Sequence, residues 1–162
     1  MNIFIDFLPI KTERLTIVKT TSEDINLLLK IDKQEETQKY LGGIKNKTKE
    51  ERLEFLKNKI SSLTVYLDKT PIGFVELKQK ENNPYELSYI FDYDYWNKGY
   101  CTEVCNKLID IAFNELNIDC VYATTLKENI KSIKVLERLG FIYINNIEKD
   151  NIMFLNYIIS NK

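Results

Sequence analysis

Apolar and polar residues alternate over residues 12–20, TERLTIVKT, which predicts a first strand with Leu15 and Ile17 facing inward. Thr21-Ser22-Glu23-Asp24 then offers a capping-box-like helix start, and Ile25, Leu28 and Leu29 mark one face of a helix reaching about Lys33. A short segment from Glu35 to Leu41 follows and breaks at Gly42-Gly43, near which a substrate could enter. Thr48 with Glu51 three residues later is a second capping box, opening a helix whose apolar positions are Leu53, Leu56 and Ile60. Leu63–Leu67 and Ile72–Lys78 read as strands joined by the turn Asp68-Lys69-Thr70-Pro71, and Glu81-Asn82-Asn83-Pro84 reads as the next turn. Tyr85–Phe91, aromatic and branched, completes an antiparallel meander of three strands. From Cys101 the period becomes helical, with Cys101, Val104, Cys105, Leu108, Ile111, Ala112 and Leu116 on one face. Cys120–Thr125 is a short strand, and strand, helix, strand in this order imply a crossover, so it should run parallel to Tyr85–Phe91. A helix over Asn129–Leu139 ends at Gly140, and Phe141–Ile147 with Ile152–Ile159 forms a last hairpin around Lys149-Asp150-Asn151. The pattern predicts one α+β domain over residues 1–162: a mixed, mostly antiparallel sheet with a parallel strand pair at its middle, flanked by helices.

The stretch between that aromatic strand and the long helix, Trp96-Asn97-Lys98-Gly99-Tyr100-Cys101-Thr102, is where chemistry is best sought. Glycine lets the backbone turn sharply and approach a ligand. The first amides of a helix lack internal partners and, with the helix dipole, attract phosphate or another anion. The plainer alternative is a tight strand-to-helix turn with no ligand. Neither a dinucleotide fingerprint nor a P-loop is present.

Composition narrows the classes. Hydrophobic residues make up 44% and charged residues 29%, as in ordinary globular proteins. The net charge of −1 gives no basic field for nucleic acid or an anionic membrane, and no apolar run reaches the length of a membrane span. Three cysteines and no secretory signal point to reduced thiols and a cytoplasmic protein. Cys101 and Cys105 lie one helical turn apart and could touch, but without histidine a metal site is not expected, and core thiols are the better reading. The lack of histidine also removes the usual Ser-His and Cys-His nucleophile pairs.

Three stretches, in this order of elements, resemble the GNAT superfamily of N-acetyltransferases. Trp96 to Cys101 is similar to its acetyl-CoA pyrophosphate loop, Q/R-x-x-G-x-G/A, and closely resembles the form W-G-K-G-Y-A-T-E. Asn129-Ile130-Lys131-Ser132 followed by Leu139-Gly140-Phe141 resembles the family's N-x-x-[SA]…G-F segment. Thr12-Glu13-Arg14-Leu15 resembles the opening strand of the RimJ/RimL-like ribosomal-protein acetyltransferases. Cys101 stands where Gly or Ala is usual, Trp96 replaces a Gln or Arg, and Leu136 occupies the position of the tyrosine that many relatives use as general acid.

The resemblance implies direct transfer of acetyl from acetyl-CoA to a primary amine, either a protein N-terminus or a small amine. It implies cofactor contacts from Ile90, Phe91, Asn97, Lys98, Gly99, Tyr100, Cys101, Thr102, Asn129 and Ser132. The amine must attack neutral: a lysine with pKa about 10.4 is almost fully charged at about pH 7, whereas an α-amine near about 7.8 is partly neutral. A carboxylate acting through water then suffices as base. Glu86 matches the family's acidic strand position, with Glu76 and Asp92 in reserve; a partly exposed Glu86 without a chemical role is the competing reading. An amide near Ile90 or Phe91 is implied as oxyanion donor. Ser132 is the candidate acid, though a cap or cofactor contact suits it better. Asn129 is assigned to the pantetheine arm, against a plain N-cap. Tyr89, Tyr93 and Tyr95 could line an acceptor pocket, and Asp92 and Asp94 are expected to turn away from the phosphates. The alternative function is a non-catalytic acyl-CoA sensor on the same scaffold, kept open by Leu136. Monomer and homodimer are both compatible with the sequence.

Overall fold

In the computed structural model, which describes residues 2–79 and 84–162, the alternating segments form strands and the periodic ones helices. The strands are β1 (Ile10–Lys11), β2 (Leu15–Lys19), β3 (Ser62–Leu67), β4 (Thr70–Gln79), β5 (Tyr85–Phe91), β6 (Cys120–Leu126), β7 (Ile142–Lys149) and β8 (Ile152–Ser160). The helices are α1 (Ile25–Asp32), α2 (Glu35–Gln38), α3 (Lys49–Asn58), α4 (Tyr100–Asn114) and α5 (Ile130–Arg138). Hydrogen bonding orders the sheet β1-β2-β3-β4-β5-β6-β8-β7. Among the described residues the one parallel pair is β5 with β6, in the register Tyr85↔Val121 and Glu86↔Tyr122, as the crossover required. The fold is the mixed, mostly antiparallel α+β arrangement expected, with its parallel pair at the middle of the order.

Local chemistry explains both the agreements and the differences. Thr21 and Thr48 each form the full capping box, accepting the N3 amide while the N3 carboxylate takes the cap amide. The first strand begins later than expected, because Thr12 closes a turn on Leu15: the Leu15 amide donates to Thr12 Oγ1 at 3.1 Å and the Thr12 amide to the Leu15 carbonyl at 2.9 Å. That turn folds the short β1 back onto β2. The helix expected to run through Ile60 stops at Asn58; Lys59 leaves helical geometry, and Ile60 is exposed rather than part of an apolar face. The segment expected to reach Leu41 likewise ends at Gln38, whose carbonyl accepts the amides of both Leu41 and Gly43. The first three residues of the turn Glu81-Asn82-Asn83-Pro84 lie outside the described residues. At the last hairpin Asp150 and Asn151 both have positive φ (52° and 62°), the two-residue turn whose twist suits paired strands. The placing of β8 between β6 and β7 has no counterpart in the local pattern of residues.

The chain forms two compact units, residues 1–77 with 89–100 and residues 78–88 with 101–162. In the first, Ile25, Leu27, Leu28 and Ile31 of α1 pack with Leu56 of α3 and Phe74 of β4. Arg52 of α3 grips the buried Asp32 of α1 through two hydrogen bonds, at 2.6 and 2.5 Å. In the second, α4 buries Val104, Cys105, Leu108, Ile109, Ile111 and Ala112, close to the stripe read from the sequence. Leu136 and Leu139 of the last helical segment are buried. That helix closes in a Schellman motif: the Phe141 amide reaches the Leu136 carbonyl, the Gly140 amide reaches Glu137, and Gly140 takes φ +88°.

Candidate cofactor and catalytic residues

The residues singled out in the sequence fall into two groups, one in each unit. In the first unit β5 ends at Ile90 and the buried Phe91. Gly73 of β4 lies so close there that a β-carbon would meet the Phe91 ring at 2.5 Å and the Ile90 carbonyl at 2.9 Å. Nothing in the sequence pattern marked this glycine, whose neighbours Ile90 and Phe91 lie seventeen and eighteen residues on. Past β5 the chain makes one 3-10 turn, Tyr93–Tyr95, and then the turn leading to α4. Trp96 struts this connection: its indole N–H donates to the Phe91 carbonyl at 2.8 Å, and its ring meets Tyr93 edge-on at 5.2 Å.

Asn97, Lys98 and Gly99 are exposed, and Tyr100 opens α4. Asn97 and Gly99 both have positive φ, 60° and 80°. Asparagine tolerates that region, whereas at Gly99 a side chain would be strained. A β-carbon on Gly99 would meet only Arg14 Nη2, at 3.4 Å, so conformation rather than crowding demands glycine. Arg14 is the functional candidate that the sequence reading passed over except as part of a motif. Its Nη1 donates to the Lys98 carbonyl at 3.0 Å, and its guanidinium lies over the Tyr100 ring at 4.5 Å. The Lys98 ammonium binds the Asp94 carbonyl at 2.8 Å and covers the Tyr95 ring.

Asp92 and Asp94 are both ion-paired with one lysine. Lys30 Nζ meets Asp92 at 2.5 Å and Asp94 at 2.6 Å, and Gln34 Nε2 donates to Asp92 at 2.7 Å. Burial works against charge on Asp92, but hydrogen bonds from Lys30, Gln34 and the Asp94 amide outweigh it and hold its carboxyl below the ordinary 3.8. The same contacts raise the Lys30 ammonium above its ordinary value. Gln34, the N-cap of α2, also accepts the Tyr93 amide at 3.0 Å, so it and Lys30 of α1 grip the start of the turn. Glu76, a reserve for the base, is buried against the Ser61 hydroxyl, with Lys59 at 3.4 Å.

In the second unit Cys101 and Thr102 begin the continuous run of α4. Burial, with the Cys105 thiol beside it, pushes the Cys101 thiol well up, which fits a neutral packing group. No cluster of three or more metal-binding side chains occurs among the described residues. Glu86 is half-buried, accepts the Thr124 hydroxyl at 3.0 Å and has Lys149 Nζ at 3.6 Å. Asn129 caps α5: its Oδ1 accepts the Ser132 amide at 3.2 Å. The cap role weighed for Asn129 is therefore real, and the side-chain amide NH₂ is the part left for other work. Leu136, at the family's acid position, is 1% exposed and belongs to the core.

The family profile described as an acetyltransferase (GNAT) domain matches residues 14–142. This chain belongs to the GNAT family of acetyltransferases. The uncharacterized N-acetyltransferase p20 of Bacillus licheniformis is 31% identical over 143 residues, covering 80% of each chain. Among solved structures, a GNAT-family acetyltransferase from Bacillus anthracis superposes with a TM-score of 0.83 at 24% identity, over 94% of this chain and 98% of that one. RimL, a ribosomal alpha-N-protein acetyltransferase in complex with coenzyme A, superposes with a TM-score of 0.82 at 13% identity, over 94% and 97%. These two likenesses establish the fold. Among the described residues no helix is long and apolar enough to cross a membrane.

Proposed function

We propose that residues 1–162 act as one cytoplasmic GNAT domain that moves acetyl from acetyl-CoA to a primary amine, with a protein N-terminus as the favoured acceptor. The observation that carries this is the exposed left-handed turn at Gly99, set at the N-terminus of a 15-residue helix beside a guanidinium. The turn fits a pyrophosphate: its residues are exposed, the helix dipole favours an anion, and the nearby carboxylates of Asp92 and Asp94 are both held by the Lys30 ammonium, which offsets one of their two charges. The amides from Asn97 to Thr102 take the phosphate oxygens. The Asn129 side-chain NH₂ donates to a carbonyl of the pantetheine arm, and Ser132 lies one helical turn further along the same strip of chain.

In the reaction the amine nitrogen attacks the thioester carbon, and the C–S bond breaks as the tetrahedral centre collapses. The proton lost by nitrogen passes through water to Glu86, and the departing sulfur takes a proton from water or Ser132. An amide at Ile90 or Phe91 steadies the developing oxyanion. Such a scheme suits an acceptor that is already partly neutral, which favours an α-amine over a lysine side chain. The motif Thr12-Glu13-Arg14-Leu15, similar to that of the RimJ/RimL-like branch, supports the same choice. A Gly99→Val variant tests the cofactor assignment. Forcing a β-branched residue to φ +80° costs about 1–3 kcal/mol and reshapes the turn. Acetyl-CoA affinity, measured by calorimetry, should fall about tenfold or more while the thermal transition stays cooperative; unchanged affinity in the folded variant would refute the assignment.

A further inference from the structure

We propose that Arg14 is a positioning residue for the phosphate turn, holding the Lys98–Gly99 peptide so that the Gly99 amide faces the donor's pyrophosphate. The inference rests on the cofactor reading above and adds a residue to it. A trans peptide is planar, and its C=O and N–H point in opposite directions. Arg14 Nη1 holds the Lys98 carbonyl at 3.0 Å, so the Gly99 N–H of the same peptide is directed away from the guanidinium. The restraint matters because glycine permits the peptide to flip at little cost. A flipped peptide would present the Lys98 carbonyl to the phosphates in place of an N–H, exchanging an attraction for a repulsion.

One planar group serves three successive residues here. Arg14 bonds the carbonyl of Lys98, approaches within 3.4 Å of the site a Gly99 β-carbon would take, and lies over the Tyr100 ring at 4.5 Å. A lysine could not do this, because a point charge cannot donate in one direction and stack flat in another. Trp96 carries no charge and is tied by its indole N–H to the Phe91 carbonyl. Arg14, more than eighty residues earlier in the chain, adds a positive charge at this turn beside that of Lys98.

The test compares wild type, Arg14→Gln and Arg14→Lys as full chains, with thermal unfolding confirming that each is folded. Affinity is measured for acetyl-CoA by calorimetry and for S-acetylpantetheine, which lacks the pyrophosphate, by NMR titration. Loss of one charge-assisted hydrogen bond predicts that Arg14→Gln weakens acetyl-CoA about tenfold, with partial recovery in Arg14→Lys. Affinity for S-acetylpantetheine should stay within about twofold of wild type by the same reasoning, since the lost bond serves only the phosphates. Unchanged acetyl-CoA affinity in Arg14→Gln would overturn the proposal, as would equal losses for both donors, which would make Arg14 a merely structural support. Failure of the wild type to bind acetyl-CoA would overturn the cofactor reading itself, a result distinct from either.

Discussion

At the scale of single residues, the two glutamates considered for the base have unlike surroundings. Glu76 is buried against Ser61, whereas Glu86 is half-buried between the Thr124 hydroxyl and the Lys149 ammonium. Glu86 therefore keeps access to water, which a relayed proton needs. Glu86→Gln retains the shape and can still accept the Thr124 hydroxyl, while it removes the carboxylate charge and with it the ion pair to Lys149. With an α-amine acceptor, single-turnover rates should fall strongly near about pH 7, and the deficit should shrink toward about pH 9, where the amine is neutral without help. Equal rates at the lower pH would dismiss Glu86 and bring Glu76 forward. Not every residue role was legible in the sequence. Gly99 stood out because glycine before a helix is visible in one dimension. Arg14 and Gly73 did not, because each acts on chain that is distant in sequence, and no local pattern encodes such a meeting.

At the scale of elements, local chemistry was read well and long-range fastening was not. Both threonine capping boxes, the strand-turn-helix around Gly99 and the glycine stop at Gly140 depend on residues a few positions apart, and all four are present. The latch from α1 and the N-cap of α2 to the turn after β5 joins Lys30 and Gln34 to residues about sixty positions away, which is why it went unseen. It makes a definite prediction. Asp92→Asn removes the charge from a buried carboxylate whose lysine partner is half-exposed and stays charged, and should cost about 2 kcal/mol in chemical denaturation, within the range for a hydrogen bond to a charged group. The sign with pH follows from the depressed carboxyl: because Asp92 titrates lower folded than unfolded, its contribution is complete above the ordinary 3.8 and drains away as pH falls through the lower folded value. The variant should lose that segment of the acid-unfolding curve. A variant as stable as wild type, with the same acid limb, would show that the latch contributes nothing.

At the scale of the whole molecule, the strand sequence with one parallel pair, the turn at Gly99 and the match over residues 14–142 point to one chemistry, while the acceptor depends on surfaces that fold alone does not specify. Periodicity marked the strands, and the strand-helix-strand order implied that β5 and β6 run parallel, but neither implied that the final strand would insert between β6 and β7. A hairpin read from sequence leaves open which of its strands meets the rest of the sheet. Leu136 in the core removes the usual acid and keeps in view the contrast between an enzyme and a cofactor-binding sensor. The most direct measurement is release of free CoA thiol on mixing the protein with acetyl-CoA and a panel of peptide N-termini, polyamines, aminoglycosides and amino acids. Amine-dependent thiol release, strongest with an α-amine and matched by acetylated product of the expected mass, is the predicted result. Tight acetyl-CoA binding with no amine-dependent release from any acceptor would contradict acetyl transfer and leave a sensor in its place.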